Sequence, residues 1–232
     1  MANSFFITGT DTNVGKTYLA AGLIKAYRQR GFRVSGFKPV ASGAERLNGH
    51  LANQDALSLM AEASVSLPYE AVNPYCFEPA IAPHIAAQRA KVNIDLALIK
   101  SSYERHLAHS EVVIVEGAGG WKVPLGKNIG FDDVAHSLNA PVILVVGLKL
   151  GCINHALLSE EAIINKGCRL AGWVGNNIEP SFHELDENIE SLKETMKTPC
   201  LGVLKHQPFS DLKGESNRIN MDSLLDYLAD FR

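Results

Sequence analysis

The chain has 232 residues, of which 46% are hydrophobic and 20% are charged, and its formal net charge is -3 at pH 7. The length suits one large α/β domain, while the small charge gives no footprint for nucleic acid or an anionic membrane. No apolar run approaches the roughly 20 residues of a membrane span, the start shows no signal-peptide pattern, and four cysteines without a C-x-x-C pair predict free thiols in a reducing cytoplasm.

The first predicted strand, Phe5–Thr8, leads into a turn of small residues and then into a Gly-Lys-Thr sequence that opens a predicted helix over 16–30. This order is typical of a phosphate cradle, in which backbone N–H groups and the positive end of the helix face an anion. Lys16 can reach the β- and γ-phosphates, and the Thr17 hydroxyl suits Mg²⁺. The usual motif has its first glycine at the position of Thr10, so we predict a variant phosphate loop.

The rest of the chain alternates short apolar runs with helical periodicity, which predicts βαβ units around a mostly parallel sheet. Further strands are predicted at 34–38, 112–115, 142–146, 170–174 and 201–204, and further helices at 56–63, 94–109, 131–138, 154–166, 183–196 and 221–229. A polar loop is predicted at 39–52. The proline-rich stretch at 64–83 is predicted to be irregular and to pack on the surface, although loops of this length are often functional. We predict an α/β fold of three layers, a mostly parallel sheet flanked by helices, with residues 1–232 as a single domain.

Polar side chains recur where predicted strands end, and ligands of open α/β sheets bind beyond those carboxyl ends. Lys38 follows the second strand, Glu116 follows the strand at 112–115, and Asn176 and Asn177 follow a late strand. A lone lysine at a strand end is usually solvated, but here it could supply a second cation for a developing phosphoryl or carboxyl charge. Glu116 could hold Mg²⁺ directly or through water, or it could be a turn or capping acid.

Other positions are open to two interpretations. Asp55 lies at the start of a predicted helix, where the residues alone favour an acid that interacts with the helix dipole. The Lys149–His155 stretch begins a helix whose free N–H groups could bind a carboxylate, or it is an ordinary βα loop. Cys152 has no obvious activating base, so a thiol nucleophile is not expected. His106 and His109 share a helix face without a third metal ligand, which predicts a wet surface.

Several blocks of the chain resemble the dethiobiotin synthetase family, which has a fold like that of the P-loop NTPases. These blocks follow one another over most of the chain, and they are Gly9–Thr12, Val14–Thr17, Lys38–Gly43, Asn73–Tyr75, Pro83–His84, Val115–Trp121, Pro141–His155 and Leu170–Val174. The blocks that begin at Lys38 and at Lys149 are far more specific than a phosphate loop. The resemblance therefore implies more than nucleotide binding.

The resemblance implies an ATP-dependent cyclo-ligase that converts ATP, CO₂ and 7,8-diaminononanoate to dethiobiotin, ADP and phosphate. A carbamate of one substrate amine would attack the γ-phosphate, and the mixed carbamic–phosphoric anhydride would close to a cyclic urea. Such phosphoryl transfer needs positioning and charge neutralisation. By the resemblance, Lys16 and Lys38 are the catalytic cations, and the Mg²⁺ ligands are Thr17, Asp55 and Glu116.

The resemblance also implies which residues bind nucleotide and substrate. The nucleotide set is Asn13, Val14, Gly15, Lys16, Thr17, Asp55, Glu116, Gly117, Ala118, Gly119, Asn176, Asn177, Lys205, His206 and Gln207. The substrate set is Thr12, Ser42, Gly119, Gly151, Cys152, Ile153 and Asn154. In this family the active enzyme is a homodimer, in which the helix N-terminus at 151–154 of one subunit binds the substrate carboxylate of the other.

Two departures from the family pattern affect these expectations. Asn13 stands where the family often has Glu or Gly, so a carboxylate role is absent at that position. Lys205-His206-Gln207 replaces a Pro-x-Leu turn that contacts the purine, which leaves the base preference open.

Two other classes of protein compete with this interpretation. A nucleotide-switched dimer of the chromosome-partitioning type shares the fold, but it carries a second lysine in the phosphate loop where this chain has Asp11. An ATP-dependent ligase or kinase that acts on another carboxylate or amine is the second alternative. The Lys38–Gly43 block weighs against that alternative without excluding it.

Overall fold

The computed structural model describes residues 3–179, 182–204 and 221–229. In chain order the elements are β1 (Asn3–Gly9), α1 (Lys16–Gln29), β2 (Val34–Phe37), β3 (Val40–Ser42), β4 (Glu45–Leu47), β5 (His50–Ala52), α2 (Gln54–Glu62), α3 (Tyr69–Val72), β6 (Tyr75–Phe77), α4 (Pro83–Ala90), α5 (Leu96–His109), β7 (Val112–Glu116), β8 (Pro124–Gly126), β9 (Ile129–Gly130), α6 (Phe131–Leu138), β10 (Val142–Leu148), α7 (Cys152–Asn165), β11 (Leu170–Asn177), α8 (Leu185–Thr195), β12 (Cys200–Leu204) and α9 (Met221–Ala229). No helix in these ranges is long and apolar enough to cross a bilayer.

A six-stranded sheet organises the described chain, with the strand order β12-β11-β10-β1-β7-β2 and parallel pairing throughout. Because all six strands point the same way, their carboxyl ends lie at one edge of the sheet. β1 has β7 on one side and β10 on the other, so the phosphate loop that follows it lies between two further strand ends. This topology positions the candidate site.

The sheet separates two apolar clusters, which accounts for its nearly continuous apolar strands. On one face, side chains of α1, α2 and α9 pack against Phe5 and Ile7 of β1. On the other face, side chains of α4 to α8 form a cluster with Phe6 and Trp173. Helices therefore cover both faces, and the predicted three-layer α/β architecture is confirmed.

Helix α1 follows from the spacing of its apolar residues. Leu19, Leu23 and Ile24 recur on one stripe and are completely buried against the sheet, which is worth about 1.5–3 kcal/mol for each side chain before entropy is counted. Arg28 lies in the last turn, where a cation interacts well with the helix dipole. Gly31 follows the helix with a φ of 85°, the left-handed conformation that a helix end commonly needs.

The structure corrects the prediction for residues 39–93. The predicted polar loop contains the short strands β3, β4 and β5, and the predicted irregular stretch contains α3 and β6. Helix α4 was missed, although Pro83 occupies its first turn, where proline is favoured. Elements of three or four residues are too short to show a hydrophobic period. The packed character of this stretch is confirmed by buried residues such as Val72, Asn73 and Phe77.

The prediction of a wet surface was right for His109 and wrong for His106. His106 is completely buried, its Nδ1 lies 2.8 Å from Ser35 Oγ, and its Nε2 lies 3.1 Å from the Ala71 carbonyl oxygen. Its ring lies against Phe37, with the centroids 5.0 Å apart. The helical spacing from Tyr103, which is also buried, was the available signal for a core position.

We expect the free energy of unfolding to fall as pH decreases through the range in which His106 titrates. Burial lowers the pKa of His106 from 6.5 to about 4, so the fold retains the neutral ring while the unfolded chain takes up a proton. Stability is therefore present above pH 6.5 and is lost towards pH 4, by about 2 kcal/mol at pH 5. Urea unfolding of wild type, His106→Gln and His109→Gln at several pH values measures this loss. Only His106→Gln should lose this pH dependence of the free energy of unfolding. If that variant keeps the wild-type pH dependence, His106 is not its source.

Candidate active site

The loop between β1 and α1 explains the variant glycine position. A Cβ added at Gly9 would lie 2.6 Å from the Val14 side chain, so the small residue is needed there. Thr10 instead extends the pairing of β1 with β10, because its N–H donates to the Val145 carbonyl at 2.9 Å and its hydroxyl accepts the Gly147 N–H at 3.3 Å. A threonine at position 10 therefore fastens the loop to the neighbouring strand.

The middle of the loop uses left-handed backbone. Asn13 has a φ of 59°, a conformation that asparagine tolerates better than most residues, and Gly15 has a φ of 95°. Asn176 Nδ2 donates to the Val14 carbonyl at 2.9 Å, which fixes the loop to the end of β11. The absence of a carboxylate at position 13 is thus compatible with a well-formed loop.

Lys16 lies over the phosphate loop. Its Nζ donates to the Asp11 carbonyl at 2.8 Å, and the residue is 6% exposed. Burial, followed by the nearby Lys38 ammonium, lowers the pKa of Lys16 to about 8. Gly15 gives α1 no side-chain cap, so the first N–H groups of the helix are available to an anion. Both features suit phosphate binding.

Lys38 is a buried ammonium and not a solvated strand-end lysine. Only 2% of its side chain is exposed, and its Nζ donates to Glu116 Oε1 at 2.6 Å and to Asp55 Oδ2 at 2.7 Å. It also donates to the Gly117 carbonyl at 3.1 Å. Because β2 and β7 are neighbours in the sheet, Lys38 and Glu116 meet at their ends across 78 positions of sequence.

Lys38, Asp55 and Glu116 form a charged cluster, and the charge of each member depends on the others. Burial alone would lower the pKa of Lys38, but Glu116 and Asp55 outweigh burial and raise it. Burial would raise the pKa of Asp55, but Lys38 outweighs burial and lowers it. For Glu116, which is completely enclosed, burial dominates and raises the pKa although Lys38 opposes the shift. A further cation beside Glu116 would therefore favour its ionised form.

Asp55 lies at the start of a helix, as predicted, and its carboxylate also contacts Lys38. It lies in the first turn of α2, where the Asn53 side chain caps the helix by accepting the N–H groups of Asp55 and Ala56. The same turn directs the Asp55 carboxylate to Lys38. The helix N-terminus therefore delivers this carboxylate to the cluster.

The cluster offers donors that suit Mg²⁺. Thr17 Oγ1 donates to Glu116 Oε1 at 2.8 Å, and within the described part of the chain Glu116 Oε2 is buried without a hydrogen-bond partner. No group of three or more His, Cys, Asp or Glu residues suited to a metal occurs in the described ranges. Mg²⁺ usually takes one or two carboxylates and completes its shell with phosphates and water, so two acids and a hydroxyl fit an ion that arrives with a nucleotide.

Three of the predicted substrate residues have described neighbours in the phosphate loop or at the start of α2. Gly119 has a φ of 65°, and a Cβ there would lie 3.6 Å from Thr12 Oγ1, so the glycine turn approaches the phosphate loop. The Ser42 carbonyl accepts Asn53 Nδ2 at 3.4 Å, which places Ser42 beside the start of α2. Gly119 is thus a neighbour of Thr12, and Ser42 is a neighbour of the residue that caps α2.

Helix α7 begins close to the phosphate loop. Gly151 precedes its first turn with a φ of 91° and no side-chain cap, and Cys152 is buried. Lys149 Nζ lies 3.5 Å from Asp11 Oδ2, which links the start of α7 to the phosphate loop. The helix N-terminus is therefore near the nucleotide side of the cluster, and no base is placed against the Cys152 thiol among its described contacts.

The predicted adenine-side residues are only partly described. Asn176 lies at the end of β11 with its amide nitrogen fixed to Val14, and Asn177 is the last residue of that strand. The predicted residues Lys205, His206 and Gln207 lie outside the described ranges. Asn53 and Asn73, which bond the backbones of Asp55 and Lys38, were not among the predicted site residues, and neither was Tyr69, whose hydroxyl joins them.

Helix α1 begins without a side-chain cap, has Lys16 and Thr17 in its first turn, and lies beside Glu116 at the end of β7. This arrangement defines a nucleotide-dependent enzyme of the P-loop class. A family model described as an AAA domain matches residues 3–213. An ATP-dependent dethiobiotin synthetase of Pseudomonas paraeruginosa is 51% identical over 200 residues, which cover 86% of this chain and 88% of that protein. One from Cellvibrio japonicus is 45% identical, with 96% and 98% covered.

The chain belongs to the family of ATP-dependent dethiobiotin synthetases, and it is an ATP-dependent cyclo-ligase of biotin biosynthesis. Solved structures with the same fold include the MinC:MinD cell division complex of Aquifex aeolicus, with a TM-score of 0.60 and 16% identity over 99% of this chain and 96% of that one. A ParA family ATPase of Chlorobium tepidum has a TM-score of 0.59 and 13% identity over 100% and 99%. These identities establish a shared fold and nothing about activity.

Proposed function

We propose that this chain carries out the ATP- and Mg²⁺-dependent carboxylation and ring closure of 7,8-diaminononanoate with CO₂, which yields dethiobiotin, ADP and phosphate. The observation that carries the proposal is Lys38, a buried ammonium between Asp55 and Glu116 at the edge of the phosphate loop. A simple nucleotide-binding module has no need of a second buried cation there. A reaction that develops charge on a phosphoryl and a carbamoyl group does.

The nucleotide would lie along the strand ends. The phosphate loop from Asn13 to Thr17 would hold the phosphates, with Lys16 turning from the Asp11 carbonyl to the β- and γ-oxygens. Asn176 donates its amide nitrogen to Val14, which leaves its oxygen as the atom to accept the exocyclic amine of adenine. Together the proposed nucleotide residues are Asn13, Val14, Gly15, Lys16, Thr17, Asp55, Glu116, Gly117, Ala118, Gly119, Asn176, Asn177, Lys205, His206 and Gln207.

Thr17, Asp55 and Glu116 would hold Mg²⁺, a role supported by the unpartnered Glu116 Oε2. When bound, Mg²⁺ neutralises charge on the phosphates. Lys38 would then direct its ammonium to the carbamate and the γ-phosphate. Thr12, Ser42 and Gly119 would orient the diamine beside it.

The proposed reaction begins when one substrate amine attacks the carbon of CO₂ and loses a proton, which gives the carbamate, and two further steps follow. The carbamate oxygen attacks the γ-phosphorus and forms a P–O bond, while the bond to the β-phosphate oxygen breaks and ADP leaves. The second amine then attacks the carbamoyl carbon, loses a proton and expels phosphate as the urea ring closes. The Lys16 and Lys38 ammonium groups would stabilise the negative charge that develops in both steps.

We also propose that the enzyme is a homodimer, with Gly151, Cys152, Ile153 and Asn154 of one subunit binding the carboxylate of substrate held by the other. The capless start of α7 supports this role, and Leu150 and Leu158, which are 85% and 57% exposed, give the element an apolar surface. Residues 1–232 would act as one domain. The unpaired cysteines suit a cytoplasmic location, without nucleic-acid or membrane partners.

Purified protein supplied with diaminononanoate, bicarbonate and MgATP is expected to form dethiobiotin and ADP in equal amounts. Mass spectrometry of the urea product, together with an ADP assay, measures both. Omission of the diamine should abolish most ADP release, because the carbamate is the phosphoryl acceptor. ADP release without the urea, at an undiminished rate, would instead indicate a ligase or kinase that acts on another carboxylate or amine.

A further inference from the structure

A buried asparagine holds the backbone of Lys38. Asn73 is 2% exposed, and its Nδ2 donates to the Lys38 carbonyl at 2.7 Å and to the Tyr75 carbonyl at 3.2 Å. The Lys38 N–H also donates to the Val72 carbonyl at 2.8 Å. Both polar backbone groups of Lys38 are thus bound by residues 72–73, so the conformation of this short segment sets where the lysine side chain begins.

A tyrosine hydroxyl connects that asparagine to the start of α2. Tyr69 Oη donates to Asn73 Oδ1 at 2.9 Å and accepts the backbone N–H of Asn53 at 2.7 Å. Tyr69 is the first residue of α3, within the stretch at 64–83 that was predicted to be irregular. One phenol group therefore links Asn53 and Asn73, which lie 20 positions apart in the sequence and bond the backbones of Asp55 and Lys38.

Asn53 completes the connection through its side chain. Its Oδ1 accepts the Asp55 N–H at 3.1 Å, which fixes the first turn of α2, and its Nδ2 donates to the Ser42 carbonyl at 3.4 Å. The chain of hydrogen bonds from Asn73 through Tyr69 to Asn53 thus reaches the backbones of three proposed site residues, which are Lys38, Asp55 and Ser42.

We propose that Asn53, Tyr69 and Asn73 are positioning residues. They hold the Lys38 ammonium at a fixed position relative to Asp55, a proposed Mg²⁺ ligand, and Ser42, a proposed substrate residue. This inference rests on the proposed function, which gives Asp55 and Ser42 those roles. None of the three positioning residues needs to contact a reacting atom. Their effect arises because three separate backbone segments share one hydrogen-bonded support, so loss of one hydroxyl displaces the lysine relative to its partners.

Tyr69→Phe tests the proposal because it keeps the ring and removes only the hydroxyl. We expect kcat for dethiobiotin formation to fall by roughly tenfold, since small displacements of positioned groups carry large rate costs. The KM for ATP should change little, because among the described residues the side-chain bonds of Asn53, Tyr69 and Asn73 do not reach the phosphate loop. Dethiobiotin formed per ADP released should also fall, as the anhydride is less well aligned for ring closure.

Tyr75→Phe is the matched control. Its hydroxyl accepts the Asp95 N–H at 2.9 Å and so supports the start of α5 instead of the cluster. Both variants lose a phenol that accepts a backbone N–H, and both should unfold at a slightly lower temperature. Tyr75→Phe should keep wild-type kcat and product-to-ADP ratio. Equal kinetic behaviour of the two variants would overturn the proposal.

Asn53→Ser provides a second, independent measurement. Serine caps helix N-termini about as well as asparagine, so α2 is retained while the contact with the Ser42 carbonyl is lost. A raised KM for the diamine with unchanged Mg·ADP affinity supports the proposal, and an unchanged KM contradicts it. If wild-type protein makes no dethiobiotin, the proposed function itself fails, whereas an active wild type with unaffected Tyr69→Phe defeats only this inference.

Discussion

Replacing Lys38 by methionine is expected to lower kcat for dethiobiotin formation by about 10²–10³-fold, as does removal of a preorganised group that stabilises transition-state charge. Methionine retains most of the apolar stem but has no ammonium for the γ-phosphate or the carbamate. The free energy of unfolding should also fall by about 3 kcal/mol, because Glu116 is left in the interior without its cation. Mass detection of the urea product and urea denaturation measure the two effects.

Lys166→Met is the control for these two effects. Lys166 also bridges two carboxylates, with its Nζ 3.1 Å from Asp132 Oδ2 and 2.5 Å from Asp133 Oδ1, but it lies at the far end of α7 from the phosphate loop. Its loss should reduce stability and leave turnover unchanged. If Lys38→Met binds Mg·ADP like wild type and still turns over at the wild-type rate, Lys38 is not part of the reaction.

Replacing Glu116 by glutamine is expected to weaken binding of Mn²⁺, used in place of Mg²⁺, in the presence of ADP. Loss of an outer-shell partner costs roughly 10–100-fold in metal affinity, and loss of a direct ligand should cost at least as much. Electron paramagnetic resonance of free Mn²⁺ measures this without turnover. kcat should fall with it, because the Lys38 ammonium also loses the carboxylate charge that lies 2.6 Å from it.

Glu160→Gln is the control for Glu116→Gln. Glu160 is likewise a buried glutamate, 3% exposed, but its oxygens accept the N–H groups of Lys197 and Thr198 and the Thr198 hydroxyl. It supports the approach to β12, so its replacement should affect stability and leave Mn²⁺ affinity at the wild-type level. Equal Mn²⁺ affinities in wild type and Glu116→Gln would exclude Glu116 as a ligand.

Local chemistry was sufficient to predict much of this molecule. The stripe on α1, the apolar run of β10 and the small residues between β1 and α1 each reflect a period or a turn that is contained within a few residues. The variant glycine was visible in the same way, although its reason was not. That reason is a packing contact between Gly9 and Val14 and a bond from Gly147 to Thr10, both of which need the folded loop.

The Lys38 cluster could not be predicted from spacing. Its members are separated by 17 and 78 positions, and only the adjacency of β2 and β7 together with the direction of α2 brings them together. Strand order is a global property that no local period encodes. The support through Tyr69 was hidden for another reason, because α3 has four residues and shows no periodicity of its own. The family resemblance pointed to Lys38 because it compares whole blocks of sequence.

The bond between Asn176 and Val14 has a consequence for protein engineering. A Cβ at Gly15 would lie 2.2 Å from Asn176 Nδ2, so these two positions, which are far apart in the sequence, form one steric unit. Grafting residues 9–17 into another scaffold would carry only half of that unit. A library that varies position 15 should therefore yield few functional members even where position 176 is shortened, because the φ of 95° at position 15 strains any side chain. Recombination between the two halves of related genes should keep Gly15 and Asn176 together.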